Sequence, residues 1–254
     1  MPLSEFDLTD RVAVVTGASR GIGRAVALGL ARAGAHVALA ARKVPDLEAT
    51  AAEVRALGRR ALAVSAHLGR AEDIDRLFQA VEGEFGRLDI LVNNAATNPV
   101  FGPLLTVDPE AWEKIMALNV TGYLLASQGA ARRMVSAGRG AIVNVSSLAG
   151  LRASPGLGAY SVSKAAVLML TRVMAKELAP SGVRVNAIAP ALVETRFSET
   201  LWKTPEILER YLSATPLGRT AQPDEMVGAV VYLCSDAASY VTGQTLVLDG
   251  GHLA

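Results

Sequence analysis

The segment VAVVTGASRGIG, residues 12–23, joins a short apolar run to a turn that contains three glycines. An uninterrupted apolar run is typical of a strand that is buried on both faces of a parallel sheet. Gly17, Gly21 and Gly23 would let the backbone turn tightly and approach a pyrophosphate, and a following helix would offer that anion its free N–H groups. The spacing Gly-x-x-x-Gly-x-Gly differs from the dinucleotide pattern Gly-x-Gly-x-x-Gly, but the position between a strand and a helix is the same. The segment therefore predicts a nucleotide-binding turn.

Apolar runs of strand length alternate with longer amphipathic stretches along the rest of the chain. We predict strands at residues 12–15, 37–41, 60–64, 90–93, 141–145, 184–189 and 245–248. We predict helices at residues 22–33, 47–57, 71–85, 109–136, 161–178 and 224–233. This alternation predicts an α/β protein with one domain over residues 1–254, a doubly wound Rossmann fold in which about seven parallel strands are flanked by helices on both faces. Residues 192–216 are less regular, which predicts a small lid insertion, with a surface helical hairpin as the alternative.

Composition argues against several classes of protein. A net charge of +1 gives no strong attraction to nucleic acid or to a membrane surface. One cysteine, Cys234, cannot form an intramolecular disulfide, and the three histidines are too far apart in sequence to suggest a metal site. The first residues lack the basic and apolar regions of a signal peptide, and no apolar run is long enough to span a bilayer. We therefore expect a cytoplasmic protein with no metal, no nucleic-acid partner and no membrane partner.

Three polar residues in the second half of the chain suggest a proton-transfer site. Tyr160 and Lys164 are four residues apart, so a helix would place both side chains on one face, and Ser147 precedes Tyr160 by thirteen positions. A nearby ammonium favours the phenolate, which predicts a tyrosine pKa below its ordinary value of about 10. A tyrosine adjusted in this way could exchange a proton with a carbonyl oxygen. The alternative is a tyrosine at the edge of the core beside a solvated lysine.

The end of the second predicted strand indicates which nucleotide would bind. NAD-binding chains carry an Asp or Glu there, which binds the ribose 2′-hydroxyl. This chain reads Ala40-Ala41-Arg42-Lys43 and has no acid at that point. An arginine would pair with a 2′-phosphate, and Arg20 in the glycine turn could supply a second cation. We therefore expect NADP(H) rather than NAD(H), with two solvated surface arginines as the alternative.

Taken together, these residues resemble the short-chain dehydrogenase/reductase family over essentially the whole chain. The motifs that carry the resemblance are the glycine turn, Asn93-Asn94-Ala95, Asn119, Ser147 with Tyr160 and Lys164, and Pro190 with Val193 and Thr195. Within the family, the chain is similar to NADPH-dependent carbonyl and retinal reductases of the dehydrogenase/reductase 4 type. The segments that carry this closer similarity include Leu201-Trp202 and residues 233–240.

The resemblance implies a role for each matching residue. Tyr160 would be the general acid in reduction and the base in oxidation, and Lys164 would hold the nicotinamide ribose and favour the tyrosinate. Ser147 would bind the substrate oxygen, and Asn119 would hold a water molecule that links Lys164 to solvent. The cofactor would contact Gly17, Ser19, Arg20, Gly21, Ile22, Gly23, Arg42, His67, Leu68, Asn94, Ala95, Tyr160, Lys164, Pro190, Val193 and Thr195.

Departures from the family pattern leave some points open. Ala96 and Ala191 stand where the family usually has glycine, so the shape of the cofactor site is less certain there. His67 and Leu68 stand where many members carry an acid that contacts adenine; His67 would face the adenine edge or lie in solvent. Residues 165–178 contain more apolar side chains than are needed to cover one face of a sheet. The resemblance implies that the chain pairs through this helix in a homotetramer.

The expected activity is hydride transfer between NADP(H) and a ketone, an aldehyde or a secondary alcohol. A small carbonyl compound would be the substrate, and Leu192, Phe197, Leu201 and Trp202 would favour an apolar one. The alternatives with the same chemistry are a 3-oxoacyl thioester reductase that uses an acyl carrier protein and a sugar or steroid alcohol dehydrogenase. A remote alternative is a nucleotide-binding regulator without catalysis, although such a protein would be expected to lack Ser147, Tyr160 or Lys164.

Overall fold

A computed structural model describes residues 4–254 and contains one sheet of seven parallel strands. The strands are β1 (Val12–Thr16), β2 (His36–Ala41), β3 (Ala61–Ser65), β4 (Ile90–Asn93), β5 (Gly140–Val145), β6 (Val183–Pro190) and β7 (Thr245–Leu248). Their order is β3-β2-β1-β4-β5-β6-β7, so the direction of strand addition reverses between β1 and β4. Ligands of open α/β sheets bind beyond the carboxyl ends of the strands at such a reversal.

Nine helices cover the sheet in the described part of the chain. They are α1 (Gly21–Arg32), α2 (Val44–Ala56), α3 (Ala71–Phe85), α4 (Pro109–Met116), α5 (Gly122–Ala137), α6 (Gly158–Leu178), α7 (Glu199–Lys203), α8 (Pro205–Ser213) and α9 (Val227–Cys234). One apolar core joins α1, α2 and α9 to one face of the sheet, and a second joins α3, α5 and α6 to the other face. Because both faces are covered, the central strands are buried and mostly apolar, as the strand pattern predicts. The doubly wound Rossmann fold is confirmed.

Several predicted helix boundaries were wrong. The single helix predicted at residues 109–136 is interrupted by a π-helical turn, Ala117–Thr121, between α4 and α5. Helix α2 begins three residues earlier than predicted, because Pro45 fits the first turn of a helix. The predicted helix at 224–233 begins as a 3-10 turn, Pro223–Met226, and becomes α-helical only at α9.

The irregular insertion contains two short helices. A 3-10 turn, Arg196–Ser198, leads into α7, and α8 follows after one intervening residue. The insertion follows β6 and therefore lies at the carboxyl edge of the sheet, the edge at which the glycine turn also lies. Among residues 4–254, no helix is both long enough and apolar enough to cross a bilayer.

Candidate active site

The glycine turn between β1 and α1 has a backbone that requires glycine. Gly17 and Gly21 have positive φ angles of 67° and 55°, which residues with a Cβ rarely adopt. Gly23 is required for space, because a Cβ there would lie 2.3 Å from the Gly17 carbonyl oxygen and 2.4 Å from Asn94 Nδ2. Arg20, the N-cap residue of α1, makes no side-chain cap, so the first N–H groups of α1 remain available to an anion. Ser19 and Ile22 lie half-buried in the same turn.

Replacing Gly23 with alanine is expected to disrupt this turn. The added Cβ would meet backbone atoms of Gly17, which cannot move without displacing the start of α1. We expect NADPH affinity to fall at least tenfold, about 1.4 kcal/mol, as measured by fluorescence titration. Gly83→Ala is the matched control, because Gly83 is exposed on α3 and a Cβ there meets nothing within 4 Å. Equal NADPH affinity in the two variants would show that the close approach at Gly23 is unimportant.

Thr16 and Asn94 connect the glycine turn to the end of β4. Thr16 Oγ1 accepts hydrogen bonds from the backbone N–H groups of Asn94, at 2.8 Å, and Ala95, at 3.1 Å. Asn94 Nδ2 donates to the Thr16 carbonyl oxygen at 2.9 Å. These bonds hold the two sides of the strand-order reversal together, so Asn94 and Ala95 line the crevice into which the turn faces.

The two candidate cations for a 2′-phosphate lie on neighbouring segments. The Gly17 N–H donates to the Ala40 carbonyl oxygen at 2.7 Å, which places the glycine turn beside the end of β2. Arg42 follows β2 directly, and Arg20 belongs to the turn; both side chains are exposed. Within residues 4–254 neither guanidinium forms an ion pair with a carboxylate. Both are therefore free to pair with an added anion.

His67 and Leu68 follow β3 on the same edge of the sheet. The His67 ring is half-buried, and its Nδ1 accepts a hydrogen bond from the Gly69 N–H at 3.2 Å. The His67 N–H donates to Asp73 Oδ2 at 2.7 Å, which fixes the backbone there. Leu68 is buried and belongs to the core beneath the site. An adenine contact by these residues remains a prediction.

Ser147 and Tyr160 lie next to each other at the carboxyl end of β5. Ser147 caps the 3-10 turn Leu148–Gly150, accepting a hydrogen bond at Oγ from the Ala149 N–H at 3.1 Å. That turn packs directly on α6, because a Cβ on Gly150 would lie 2.7 Å from the Lys164 carbonyl carbon. Tyr160 lies in the first turn of α6, where its phenol is in hydrogen-bonding contact with Ser147, although the two residues are thirteen positions apart in sequence.

The Lys164 side chain runs from α6 into the protein interior. Lys164 is almost fully buried, and its Nζ donates to the Val145 carbonyl oxygen at 2.8 Å. Nζ lies 5.7 Å from the centre of the Tyr160 ring and 4.9 Å from the centre of the Tyr123 ring. The ammonium is thus close to Tyr160, as the four-residue spacing predicts, and it lies over the aromatic ring.

The pKa values of this pair differ from the sequence-based expectation. Burial raises the pKa of Tyr160 to about 12, and the Ser147 hydroxyl only partly opposes that shift. Burial also lowers the pKa of Lys164 to about 7. The expectation of a lowered tyrosine pKa is therefore wrong for this structure. Its premise was a nearby ammonium that favours the phenolate, whereas desolvation disfavours the charged forms of both residues.

Asn119 lies in the π-helical turn, behind Tyr160 and Lys164. Its side chain is fully buried: Nδ2 donates to the Thr97 carbonyl oxygen and to Ser163 Oγ, each at 3.0 Å. Its Oδ1 accepts from the Thr97 N–H at 2.9 Å. These bonds occupy the amide and tie the turn to α6 and to the loop after β4. A bound water held by Asn119 remains a prediction, and π-helical turns are frequent at functional sites.

The segment after β6 closes the site from the other side. Pro190 ends β6, and Val193 is buried and bridges to Ala221. Thr195 lies against the glycine turn, because a Cβ on Gly21 would be 3.1 Å from Thr195 Cγ2. Phe197 extends over the site, with its ring centre 5.8 Å from that of Tyr160. The start of the insertion therefore contacts both the glycine turn and Tyr160.

Several residues around the site were missed in the sequence. Tyr123 lies against Lys164, and no spacing in the sequence indicates this contact, because the two residues lie on α5 and α6. A buried chain of side-chain hydrogen bonds also lies behind the site. It joins Asn93 Nδ2 to Ser127 and Asn144, and Asn144 Nδ2 to Thr171, each bond being 2.9 Å long. Nothing in the sequence marks that chain, since its members lie on four separate elements.

Comparison with known proteins finds relatives that match nearly the whole chain. A family model described as enoyl-(acyl carrier protein) reductase matches residues 17–252. The dehydrogenase/reductase SDR family member 4 of Bos taurus is 42% identical over 247 residues, which are 97% of this chain and 88% of the relative. A 3-oxoacyl-[acyl-carrier-protein] reductase of Synechocystis sp. is 41% identical over 96% of this chain and 97% of its own.

Solved structures extend the same comparison to the fold. A gluconate 5-dehydrogenase of Burkholderia cenocepacia, crystallised with NADP and tartrate, has a TM-score of 0.96 and 34% identity. The match covers 100% of this chain and 99% of that structure. The resemblance to dehydrogenase/reductase SDR family member 4 proteins is therefore confirmed over most of the chain. The chain belongs to the short-chain dehydrogenase/reductase family of oxidoreductases.

Proposed function

We propose that this protein transfers a hydride between NADP(H) and a ketone or aldehyde, with Tyr160 as the general acid and base. The observation that carries the proposal is the convergence of Ser147, Tyr160 and Lys164 on the sheet edge that also holds the glycine turn. A regulator without catalysis would have no need for this arrangement.

The crevice fits a dinucleotide on its own geometry. Gly23 leaves a cradle that a Cβ would fill, and the uncapped start of α1 can bind a pyrophosphate. Gly17, Ser19, Gly21, Ile22, Asn94 and Ala95 would surround that part, whereas Pro190, Val193 and Thr195 would position the nicotinamide end. When bound, the cofactor supplies or accepts the hydride, so no covalent enzyme intermediate is required.

In reduction, Tyr160 would donate its hydroxyl proton to the carbonyl oxygen while Ser147 Oγ stabilises the charge that develops on that oxygen. A pKa of about 12 keeps Tyr160 protonated at neutral pH, which is the form that a general acid needs. Oxidation requires the tyrosinate, and a charged Lys164 would favour it electrostatically. A protonated Tyr160 therefore suits the reductive direction of the proposed reaction.

The preference for NADP(H) rests on Arg20 and Arg42. Both guanidiniums are exposed beside the glycine turn, and no acid follows β2. The Burkholderia relative with bound NADP supports the same cofactor for this chain. An arginine pairs with a 2′-phosphate by charge-assisted hydrogen bonds that a 2′-hydroxyl would lack.

Arg42→Asp is expected to reverse the cofactor preference. The carboxylate would repel a 2′-phosphate and accept a hydrogen bond from a ribose hydroxyl, so the ratio of kcat/KM for NADPH to that for NADH should fall roughly 10²-fold. Arg32→Asp, an equal charge change at the far end of α1, should leave the ratio unchanged. If Arg42→Asp also left it unchanged, Arg42 would not belong to the 2′-phosphate site.

Two apolar surfaces near the start of α6 support an apolar carbonyl compound as the substrate. A groove of about 530 Å³ is lined by Phe101, Pro103, Leu104 and residues 154–156 and 158, none of which is charged. Phe197, which is 53% exposed, adds an aromatic surface next to Tyr160. The Synechocystis relative keeps a 3-oxoacyl thioester as the second candidate substrate. A panel of ketones, aldehydes, 3-oxoacyl thioesters and keto sugar acids, followed by NADPH absorbance, tests the choice; oxidation of NADPH with keto sugar acids alone would contradict it.

The outer face of α6 supports a homotetramer as part of this proposal. Val162, Met169 and Val173 lie on that face and are 42%, 55% and 44% exposed. Contact with a second copy of the chain would bury them. Light scattering tests this point, and the mass of a monomer at micromolar concentration would contradict it.

A further inference from the structure

Tyr123 is a buried tyrosine whose hydroxyl lies among the groups that surround Lys164. It is on α5, four residues after Asn119, and only 2% of its surface is exposed. A tyrosine buried this deeply requires a hydrogen-bond partner, because an unpaired buried hydroxyl costs free energy. The partner is the Val145 carbonyl oxygen at the end of β5, to which the Tyr123 hydroxyl donates at 3.2 Å.

Lys164 shares both of these groups. Its Nζ donates to the same Val145 oxygen at 2.8 Å and lies 3.4 Å from the Tyr123 hydroxyl oxygen, which can accept a second bond. The ammonium also lies 4.9 Å from the centre of the Tyr123 ring, within the range of a cation–π contact. Oxygen lone pairs and a ring face stabilise a cation and do little for a neutral amine.

We propose that Tyr123 is a positioning residue that holds the Lys164 side chain at the Val145 carbonyl group and keeps its amine protonated in the buried site. This proposal rests on the proposed function only for the effect that Lys164 has on catalysis. The contacts themselves are independent of that role. Phenylalanine at this position would keep the ring but remove the hydroxyl acceptor.

The neutral groups around Lys164 have a large influence on its charge. Tyr123 from α5 and Tyr160 from α6 are the titratable groups in contact with the amine in the described part of the chain. β5 contributes the Val145 carbonyl, and no carboxylate within residues 4–254 pairs with Lys164. Burial lowers the pKa of Lys164 to about 7, so a small loss of stabilisation would change its charge at neutral pH.

The test measures the Lys164 pKa directly in Tyr123→Phe. The chain has five lysines, so NMR of protein labelled with ¹³C at the lysine Cε positions resolves few signals, and Lys164→Met identifies the one in question. We expect Tyr123→Phe to lower the Lys164 pKa by about one unit, because a hydrogen bond to the charged form is lost. Tyr123→Leu, which also removes the ring, should lower it further. An unchanged pKa in both variants would overturn the proposal.

Tyr232→Phe is the matched control, because it removes a hydroxyl from a half-buried tyrosine on α9, away from Lys164. An equal shift in this variant would overturn the proposal, since the effect would not be specific to Tyr123. The pH dependence of kcat/KM for NADPH-dependent reduction gives a second readout, and its alkaline limb should move with the NMR pKa. A pKa shift without reductase activity in the wild-type protein would support the positioning role and contradict the proposed function.

Discussion

Replacing Tyr160 with phenylalanine is expected to lower kcat for NADPH-dependent carbonyl reduction by roughly 10²–10⁴-fold. The variant keeps the aromatic ring, and with it the packing against Phe197, but it has no proton to give to the substrate oxygen. NADPH affinity should remain nearly unchanged, because the substitution leaves intact the glycine turn and Arg42, which we propose bind the other end of the cofactor. Steady-state kinetics and a fluorescence titration measure the two effects separately.

Tyr240→Phe is the control for this prediction, because Tyr240 is fully exposed. Its kcat should equal that of the wild-type protein. A Tyr160→Phe variant with near-normal kcat would remove Tyr160 from the proton transfer. A variant that lost NADPH binding instead would show that the site needs the Tyr160 hydroxyl for cofactor binding and not for proton transfer.

Lys164→Met is expected to abolish most of the activity and, at the same time, to stabilise the folded protein at neutral pH. The folded-state pKa of Lys164 is about 7, below the ordinary value of 10.5, so burying this charge costs folding free energy. A shift of that size corresponds to roughly 4–5 kcal/mol, and the loss of the bond to Val145 offsets part of the gain. We therefore expect Lys164→Met to raise the free energy of unfolding by roughly 2–4 kcal/mol at pH 7.

The lowered pKa of Lys164 determines how the stability gain of Lys164→Met depends on pH. Between pH 7 and pH 10.5 the unfolded wild-type protein binds more protons at Lys164 than the folded one does, so wild-type stability rises with pH in that window. The advantage of Lys164→Met should be largest at and below pH 7 and should shrink toward pH 10. Denaturant unfolding at a fixed protein concentration measures it.

Lys176→Met supplies the comparison, since Lys176 is an exposed lysine on the same helix. It should gain no such stability and should keep its activity. If Lys164→Met were less stable than the wild-type protein at pH 7, the contacts of the buried ammonium would stabilise the folded state by more than its desolvation costs.

The sequence was sufficient to predict the fold and the positions of the main site residues. The run of residues 12–23 and the alternation of strands and helices depend on local patterns that survive in any context, so the predicted sheet is the observed one. The spacing of Tyr160 and Lys164 likewise follows from helix geometry alone. Arg42 could be placed because it follows a strand whose end was already predicted.

What the sequence did not predict depends on contacts between distant segments. The interruption of the helix at Ala117–Thr121 places Asn119 against Thr97 and Ser163, and no local signal announces it. The pKa of Tyr160 moved in the direction opposite to the expected one, because its value depends on how much water surrounding elements exclude. Tyr123 was overlooked because its contact with Lys164 joins two helices, α5 and α6.

The most direct test of the central claim follows the hydride itself. The wild-type protein would be incubated with an apolar ketone and NADPH that carries deuterium at the transferable nicotinamide position, and the alcohol product would be analysed by mass spectrometry. We predict one deuterium on the carbinol carbon with the wild-type protein and almost no product with Tyr160→Phe. An alcohol without deuterium, or no oxidation of bound NADPH by any ketone, aldehyde or acyl thioester, would contradict the account.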